Sequence, residues 1–370
     1  MDNKRKLIIS VKLAPVISWL LFPLHATAVQ VSENVHAHIL AAASYQAVQA
    51  GNDDDPDGTA VPVQVGLEWK LDDKNSLYTR LGFARGDGVN LSSPFNINSW
   101  GADLESDVTN INGTSRNYLL TAWYRYTFFS DDDQHFDLAA GLIDGTDYLD
   151  RNILSNNEYT QFMNAMLVNA PNVFIPSYNP GIALIWGKGA FSTRFAYMNL
   201  NENNDGNEGH YAAMEIDYSV HNHLGPGMYR VTLAHTDKSY FDTSGNGMTS
   251  RRAMVFSFDQ QVASGVGIFT RFGMQDDTAF IDYESILSGG VQIRGIRWKR
   301  PRDTVGIGMG TLQGGNSGIK RSRVFESYYR FALSRNFDAT LDAQYMSDVY
   351  QDASDDVSGW VLGVRGLAHF

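Results

Sequence analysis

A hydrophobic period of two recurs along most of the chain and constrains the fold more than any other feature. In 61–71 the odd positions carry Val, Leu or Trp, and the even positions carry Pro, Gln, Gly, Glu and Lys. In 118–128 the even positions from Tyr118 to Phe128 form the apolar face, and in 337–345 the odd positions do so. Successive side chains of a β-strand point to opposite faces. Each segment therefore predicts a strand with one apolar and one polar face.

Sixteen segments of this kind follow one another along the chain, and the sixth is the shortest. They lie near 35–50, 59–71, 76–86, 117–129, 135–146, 181–187, 190–200, 210–221, 227–237, 251–262, 266–275, 288–299, 304–312, 323–334, 337–348 and 359–370.

The connections between these segments alternate between short and long. Tight turns rich in Gly, Pro, Asn and Asp are expected at 72–75, 187–189, 263–265 and 300–303. Longer polar connections are expected at 51–58, 87–116, 147–180, 201–209, 238–250, 276–287, 313–322 and 349–358. An even number of strands with short turns at one end and long loops at the other is typical of outer-membrane barrels. We therefore expect an all-β, transmembrane antiparallel barrel, with a soluble β-sandwich as the competing fold.

The composition of the chain excludes several classes of function. The chain of 370 residues has a formal net charge of −12, a mean hydropathy of −0.26 and no Cys. Its acidity argues against nucleic acid as a partner, because phosphate recognition needs a basic footprint. The lack of Cys excludes disulfides, Cys–zinc sites and thiol nucleophiles. No segment after the first 28 residues has ~18 consecutive apolar residues, which rules out membrane-spanning helices.

The first 28 residues are typical of a secretory signal. Lys4, Arg5 and Lys6 form a basic start, 13–24 is a short apolar stretch, and 26–28 reads Ala-Thr-Ala, which fits a cleavage site. Cleavage there leaves 29–370 as one barrel domain, and the alternative is an uncleaved N-terminal anchor. Export without Cys indicates the envelope of a Gram-negative bacterium.

The last segment supports the outer membrane as the location. Residues 360–370 alternate and end in Phe370, which resembles the signal read by the barrel assembly machinery. Aromatic residues near strand ends are expected to form girdles at the two membrane interfaces, where they contact lipid and lipopolysaccharide. These are Trp69, Tyr126, Phe128, Phe191, Tyr218, Phe331, Tyr345 and Trp360.

The polar faces of the predicted strands are rich in Arg and in carboxylates. An Arg facing lipid near the middle of the bilayer costs ~2–4 kcal/mol, so these residues are expected to face a water-filled lumen. The candidate pore-lining or solute-binding residues are Arg80, Arg125, Arg194, Arg230, Arg271, Arg294, Arg330 and Arg365, with Glu68, Glu326 and Asp342. Glu215, Asp217 and Asp259 also fall on the polar faces of their strands. For each Arg, a structural role in neutralising wall carboxylates is the alternative.

The third long connection, 147–180, contains many apolar residues for a solvated loop, including Phe162, Met166 and Phe174. We expect it to fold into the lumen and narrow the pore, and a lid packed on the rim is the alternative. Residues 156–163 are predicted to form a short capped helix. The candidate constriction residues are Asp144, Tyr148, Asp150, Asn152, Glu158, Gln161 and Phe162.

Several short motifs in this part of the chain, taken in order, resemble the carbohydrate-selective porin family of the OprB type. The resemblance covers about 117–370. The matching motifs are Gly141-Leu142-Ile143-Asp144, 148–152, 158–162, Pro176-Ser177-Tyr178-Asn179-Pro180-Gly181, 259–260, 267–273, Gly295-Ile296-Arg297-Trp298, 302–308, 326–330 and 362–365.

The resemblance implies a sixteen-stranded outer-membrane porin that passes sugars by passive diffusion, without enzymatic activity or a cofactor. A general or anion-preferring porin and a structural or adhesin barrel with a plugged lumen are alternatives. A barrel enzyme lacks support because the His residues of this chain are scattered and no Gly-x-Ser-x-Gly motif occurs.

Residues 53–58 match the start of a calcium loop, but position twelve is Gln64 rather than Glu. No metal is therefore assigned. Both a monomer and a homotrimer fit the sequence.

Overall fold

The computed structural model describes residues 29–51, 55–114, 117–200, 209–245, 247–352 and 356–370. The proposed signal at 1–28 and the first two aspartates of the calcium-like loop lie outside the described residues. The strands are β1 (Val29–Ser32), β2 (Val35–Gln49), β3 (Asp57–Ala60), β4 (Val63–Lys70), β5 (Asn75–Phe83), β6 (Asn117–Ser130), β7 (Gln134–Ile143), β8 (Asn179–Lys188), β9 (Phe191–Asn199), β10 (His210–Asn222), β11 (Gly225–Phe241), β12 (Met248–Ala263), β13 (Val266–Gln275), β14 (Tyr283–Gly295), β15 (Arg300–Gly314), β16 (Ile319–Ala332), β17 (Phe337–Tyr350) and β18 (Val357–His369).

These strands close into a barrel whose wall has sixteen strands, counting β3 and β4 as one and leaving out the short β1. Each strand from β4 to β18 pairs antiparallel with the next, and β18 pairs with β2 from Trp360↔Gln49 to His369↔Leu40. The sixteen-strand prediction is confirmed. The segment predicted at 181–187 extends to the full length of β8. The connections expected at 238–250 and 313–322 are shorter than expected, because β11, β12, β15 and β16 continue towards the external side.

Pro62 explains why one strand of the wall is divided into β3 and β4. β3 and β4 both pair with β2 and lie in line, separated by Val61 and Pro62. Proline lacks the N–H that a ladder requires, although the Pro62 carbonyl still accepts a hydrogen bond from the Ala42 N–H at 2.9 Å. β1, which the sequence did not predict, pairs with the first residues of β2.

The two faces of the wall differ as the alternation predicts. Leu67, Trp69 and Leu341 are exposed on the outer surface, whereas Asp338 and Gln344 point inward and are buried. The strict alternation predicted for 118–128 is wrong at one point. A register shift between β5 and β6 places Leu119 on the outer surface and Leu120 inside. The bulge moves Tyr118 and Leu120 off the face that carries Tyr124 and Phe128.

Much of the apolar core lies inside the barrel, where two loops fold into the lumen. Helix α1 (Leu104–Asn112) belongs to the loop between β5 and β6, and the four-residue helix α2 (Ala165–Val168) belongs to the loop between β7 and β8. No helix in the described ranges is long and apolar enough to span a membrane.

Candidate functional site: the constricted lumen

The loop between β7 and β8, residues 144–178, is called the constriction loop here, and its inward folding confirms the prediction. Arg271 of β13 fixes it from the wall. Its guanidinium lies 2.8 Å from the Asp150 carboxylate and donates to the Ser155 hydroxyl at 2.9 Å. It also donates to the carbonyls of Ser155, Leu167 and Val168. Because this side chain is fully buried, it acts as an anchor for the loop.

Two further wall residues bind the backbone of the constriction loop. Arg365 of β18 donates to the carbonyls of Glu158 and Gln161. Glu326 of β16 accepts from the N–H groups of Met163 and Asn164. Backbone groups in a buried loop need partners, and charged wall side chains provide them here.

These contacts also correct the helix predicted at 156–163. The Asn157 side chain accepts from the N–H groups of Tyr159 and Thr160, which closes a single turn. Glu326 then accepts hydrogen bonds from the N–H groups of Met163 and Asn164, and a helix forms only at α2. Local side-chain hydrogen bonds of Asn compete with helix formation in this way.

A third group of charges lies along β9 to β12. Arg194 pairs with Asp217, and Arg230 lies 2.6 Å from Asp259. Glu215 accepts from the Asp150 N–H at 2.6 Å. The wall carboxylates are thus shared between neighbouring arginines and the loop backbone, as the structural alternative for these arginines predicts.

A strip of glycines on β15 makes room for the apolar side of the constriction loop. A Cβ at Gly308 would lie 2.9 Å from the Phe162 ring, and one at Gly310 would lie 2.7 Å from the Met166 sulfur. Phe162 packs at 5.4 Å from Phe269 and at 5.1 Å from Tyr328 between ring centroids. The 302–308 motif therefore contributes to loop packing.

The described part of the loop between β5 and β6, residues 84–114, also enters the lumen, which sequence reasoning missed. The Gly101 N–H donates to the Met163 carbonyl at 2.7 Å, and the Ala165 N–H donates to the Asn98 carbonyl at 3.0 Å. Trp100 is fully buried. The apolar spacing of Leu104, Val108 and Ile111, which α1 buries, is a signal that could have indicated this.

A cavity of about 350 Å³ remains between the two loops and strands β2, β4 and β5. Arg80 of β5 points into it, 3.0 Å from the Asp144 carboxylate and 3.3 Å from that of Asp147. Tyr78, Tyr159 and Tyr178 contribute rings and hydroxyls to its wall. Its lining includes one guanidinium against five carboxylates, those of Asp103, Asp107, Asp144, Asp147 and Glu158.

Burial raises the pKa of several of these loop carboxyls. Burial, with the nearby Asp87 carboxylate, raises the pKa of Asp103 to about 7. Burial raises the pKa of Glu158 to about 7, with Asp144 and Asp103 adding to the effect. The pKa of Asp147 rises to about 6, because burial outweighs the attraction of Arg80. The constriction is therefore most negative above neutral pH.

A second cavity, of about 440 Å³, lies towards the periplasmic turns. Gln64 and Gly66 of β4 line the first cavity, and Glu68 and Lys70 of the same strand line the second. Inward side chains follow one another at ~6.6 Å along a strand, so the two cavities occupy successive sections of the lumen. The second section is close to balanced, with five carboxylates against five Lys and Arg side chains, and it includes Arg125 and Arg194.

The remaining predicted residues are spread over the barrel. Arg294 is exposed at the periplasmic end of β14, and Arg330 lies 3.7 Å from Asp338. Tyr148 is buried, while the Gln161 side chain bonds to the Ile153 carbonyl and Asn152 bonds to the Ser257 hydroxyl. The structure buries the following residues among protein contacts, which differs from the expectation that they face the open channel: Arg230, Arg271, Arg365, Glu326 and Asp342.

Comparison with known proteins gives a consistent result. Residues 93–370 match the model of the carbohydrate-selective porin, OprB family. An uncharacterised protein of Aquifex aeolicus is 28% identical over 264 residues, which cover 71% of this chain and 72% of that protein.

Two solved structures show the same fold. The high-pH structure of Pseudomonas putida OprB has a TM-score of 0.73 at 15% identity and covers 91% of this chain and 94% of its own. A loop L8 deletion mutant of OmpT, an outer membrane protein of Vibrio cholerae, has a TM-score of 0.59 at 9% identity, with coverages of 91% and 100%.

Proposed function

Because the chain belongs to the carbohydrate-selective porin family, OprB, and is an outer-membrane porin, we propose that it passes small carbohydrates by passive diffusion through the path along β4 and β5. The observation that carries this proposal is the constriction cavity between the two inward loops. Its lining combines the Arg80 guanidinium, carboxylates and three tyrosines.

This lining suits a neutral, hydroxyl-rich solute. A sugar hydroxyl can donate to a carboxylate and accept from a guanidinium, and charge-assisted hydrogen bonds of both kinds are stronger than neutral ones. Tyrosine rings offer apolar faces to the C–H side of a sugar ring, with a hydroxyl at the edge. A pore can bind its solute only weakly if the solute is to leave again, so we expect sugars to bind in this cavity at millimolar concentrations.

The charge balance of the path favours neutral solutes and cations over anions. The inward arginines that suggested an anion-preferring pore are largely neutralised by carboxylates or occupied by loop carbonyls. At the constriction the carboxylates outnumber the one guanidinium. We therefore expect the permeability for K⁺ to exceed that for Cl⁻ above neutral pH.

Planar-bilayer recording with a panel of solutes tests the proposal. Purified protein is expected to give stepwise conductance, and glucose or a short oligosaccharide at millimolar concentration is expected to reduce the current. Amino acids of matched size serve as the control. Equal block and equal liposome swelling by sugars and amino acids would leave only a general porin. A lipid-tight barrel without steps would support the plugged structural barrel.

The proposal also includes the wider setting of the chain. Residues 1–28 would direct export, and the strand ending near Phe370 would be recognised by the barrel assembly machinery. The aromatic side chains near both strand ends, with Trp69 and Phe191 on the periplasmic side and Tyr345 and Trp360 on the external side, are exposed on the outer surface. They suit contacts with phospholipid and lipopolysaccharide.

A further inference from the structure

The turn between β14 and β15 is strongly basic in an otherwise acidic chain. Residues 296–302 comprise this turn and the first three residues of β15, and are called the basic turn here. They read Ile-Arg-Trp-Lys-Arg-Pro-Arg and contain four Lys and Arg residues without an acidic one. The whole chain carries a formal net charge of −12. The segment overlaps the Gly295-Ile296-Arg297-Trp298 motif, to which the proposed transport path assigns no role.

A buried carboxylate holds the basic turn in a fixed shape on the outside of the wall. Asp303 is 1% exposed and accepts from the Tyr329 hydroxyl at 2.9 Å and from the Ala332 N–H at 3.0 Å. Arg300 binds the same carboxylate, with an Nη2–Oδ1 distance of 3.1 Å. The Trp298 indole N–H donates to the Tyr329 hydroxyl at 2.8 Å. The hydrogen bonds of Trp298, Tyr329 and Asp303 therefore tie the turn to β16.

The fixed turn presents free positive charges next to an apolar outer surface. Arg297 and Lys299 are exposed, as is Arg335 in the neighbouring turn between β16 and β17. None of the three makes an ion pair within the described part of the chain. Two acids at the same end of the wall, Asp303 and Asp338, pair with Arg300 and Arg330 instead. Exposed apolar side chains border these charges, namely Ile296, Trp298, Leu333 and Phe337.

This arrangement lies where strands leave the membrane on the periplasmic side. We propose that the basic turn, together with Arg335, binds the phosphate headgroup of an anionic phospholipid in the inner leaflet. Arg297, Lys299 and Arg335 contact the phosphate, and Trp298 and Leu333 contact the glycerol and upper acyl chains. The apolar border favours a lipid over a free phosphate, because a soluble anion has no apolar part to cover Leu333 and Ile296. Each Lys or Arg near an anionic surface adds to binding.

Native mass spectrometry of the detergent-solubilised barrel, with phosphatidylglycerol and phosphatidylethanolamine in equal amounts, tests the proposal. Wild-type protein is expected to retain phosphatidylglycerol about tenfold better. The triple variant Arg297→Gln, Lys299→Gln, Arg335→Gln is expected to lose most of that preference. The matched control Arg252→Gln, Arg321→Gln, Arg323→Gln removes the same charge at the external rim and is expected to keep it. Heat-modifiable migration in gels checks that both variants fold.

Three results would overturn the proposal. The first is equal retention of the two lipids by wild-type protein. The second is an equal loss in the two triple variants, which would show an effect of net charge alone. The third is displacement of the lipid by millimolar glycerol phosphate, which would identify a free phosphate ligand instead.

Discussion

Arg271 of β13 and Arg80 of β5 both point into the barrel, yet they lie in different surroundings. Arg271 is fully buried, and its hydrogen bonds go to the constriction loop. Arg80 keeps one side open to the constriction cavity and pairs with Asp144 and Asp147. The side of the lumen along β12 to β18, where the constriction loop is packed against the wall, is called the filled half here. The side along β2, β4 and β5, where the constriction cavity lies beside helix α1, is called the open half, and the proposed path follows it.

The difference shows that an inward charge in a barrel of this size can be a structural element. A sixteen-stranded wall encloses more space than its own side chains fill, and the two inward loops occupy much of it. Backbone groups of those loops replace water as partners of the wall charges. On the proposed path, we therefore expect the few charges that remain uncovered to determine selectivity.

Removing the Arg271 anchor should have the largest effect. The Arg271→Ala change leaves the Asp150 carboxylate buried without its cation and deprives loop carbonyls of their donors. Breaking one partner of a buried pair costs about 3–5 kcal/mol, and the released loop should widen the pore. Thermal unfolding should occur at a lower temperature, and single-channel conductance should rise and become noisy. Asp150→Asn in the same chain should restore part of the stability, and an unchanged conductance would argue against the anchor.

Filling the glycine strip should have an intermediate effect. Gly308→Ala adds a Cβ 2.9 Å from the Phe162 ring, and overpacking of this kind costs about 1–3 kcal/mol. The matched control is Gly363→Ala on β18, where the nearest atom lies at 3.5 Å. Chemical denaturation of the two variants measures the difference. Equal stabilities would show that the loop does not press on β15.

Changing Arg80 should alter selectivity more than stability. Arg80→Gln leaves Asp144 and Asp147 without their cation at the constriction, so the local potential becomes more negative. Reversal potentials in a KCl gradient should shift towards K⁺. Arg271→Gln should shift the reversal potential less than Arg80→Gln does, because Arg271 is buried away from the cavity. A shift towards Cl⁻ would contradict the assignment of the path to the open half.

Acidification should have the smallest effect. The pKa values of Asp103, Glu158 and Asp147 lie at about 7, 7 and 6, so these carboxyls gain protons as the pH falls from 8 to 5. The K⁺ preference should decline over this range, and Glu158→Gln should flatten the decline. Because these pKa values are raised in the folded protein, the native state binds more protons than the unfolded chain between about pH 4 and 7. Their contribution to stability therefore falls as the pH rises through that window.

The fold was largely predictable because alternation and loop length are local signals. The predicted strand limits agree closely with β10, β13 and β17. The bulge near Leu120 was not predictable, since it depends on the partner strand and on α1 packing beneath it. At the site, the inward direction of the arginines was predictable from the alternation. Their division into anchors and path residues depends on where residues 84–114 and the constriction loop fold, which the pattern of a single strand does not encode.

Cysteine labelling tests most directly the claim that solutes pass along the open half of the lumen. The chain has no Cys, so one introduced thiol is the only one present. Ser177 lines the constriction cavity, and Ser288 on β14 is 2% exposed in the filled half. During single-channel recording, a charged methanethiosulfonate should reduce the current stepwise in Ser177→Cys and leave it unchanged in Ser288→Cys. Block of Ser288→Cys with no response from Ser177→Cys would contradict the account.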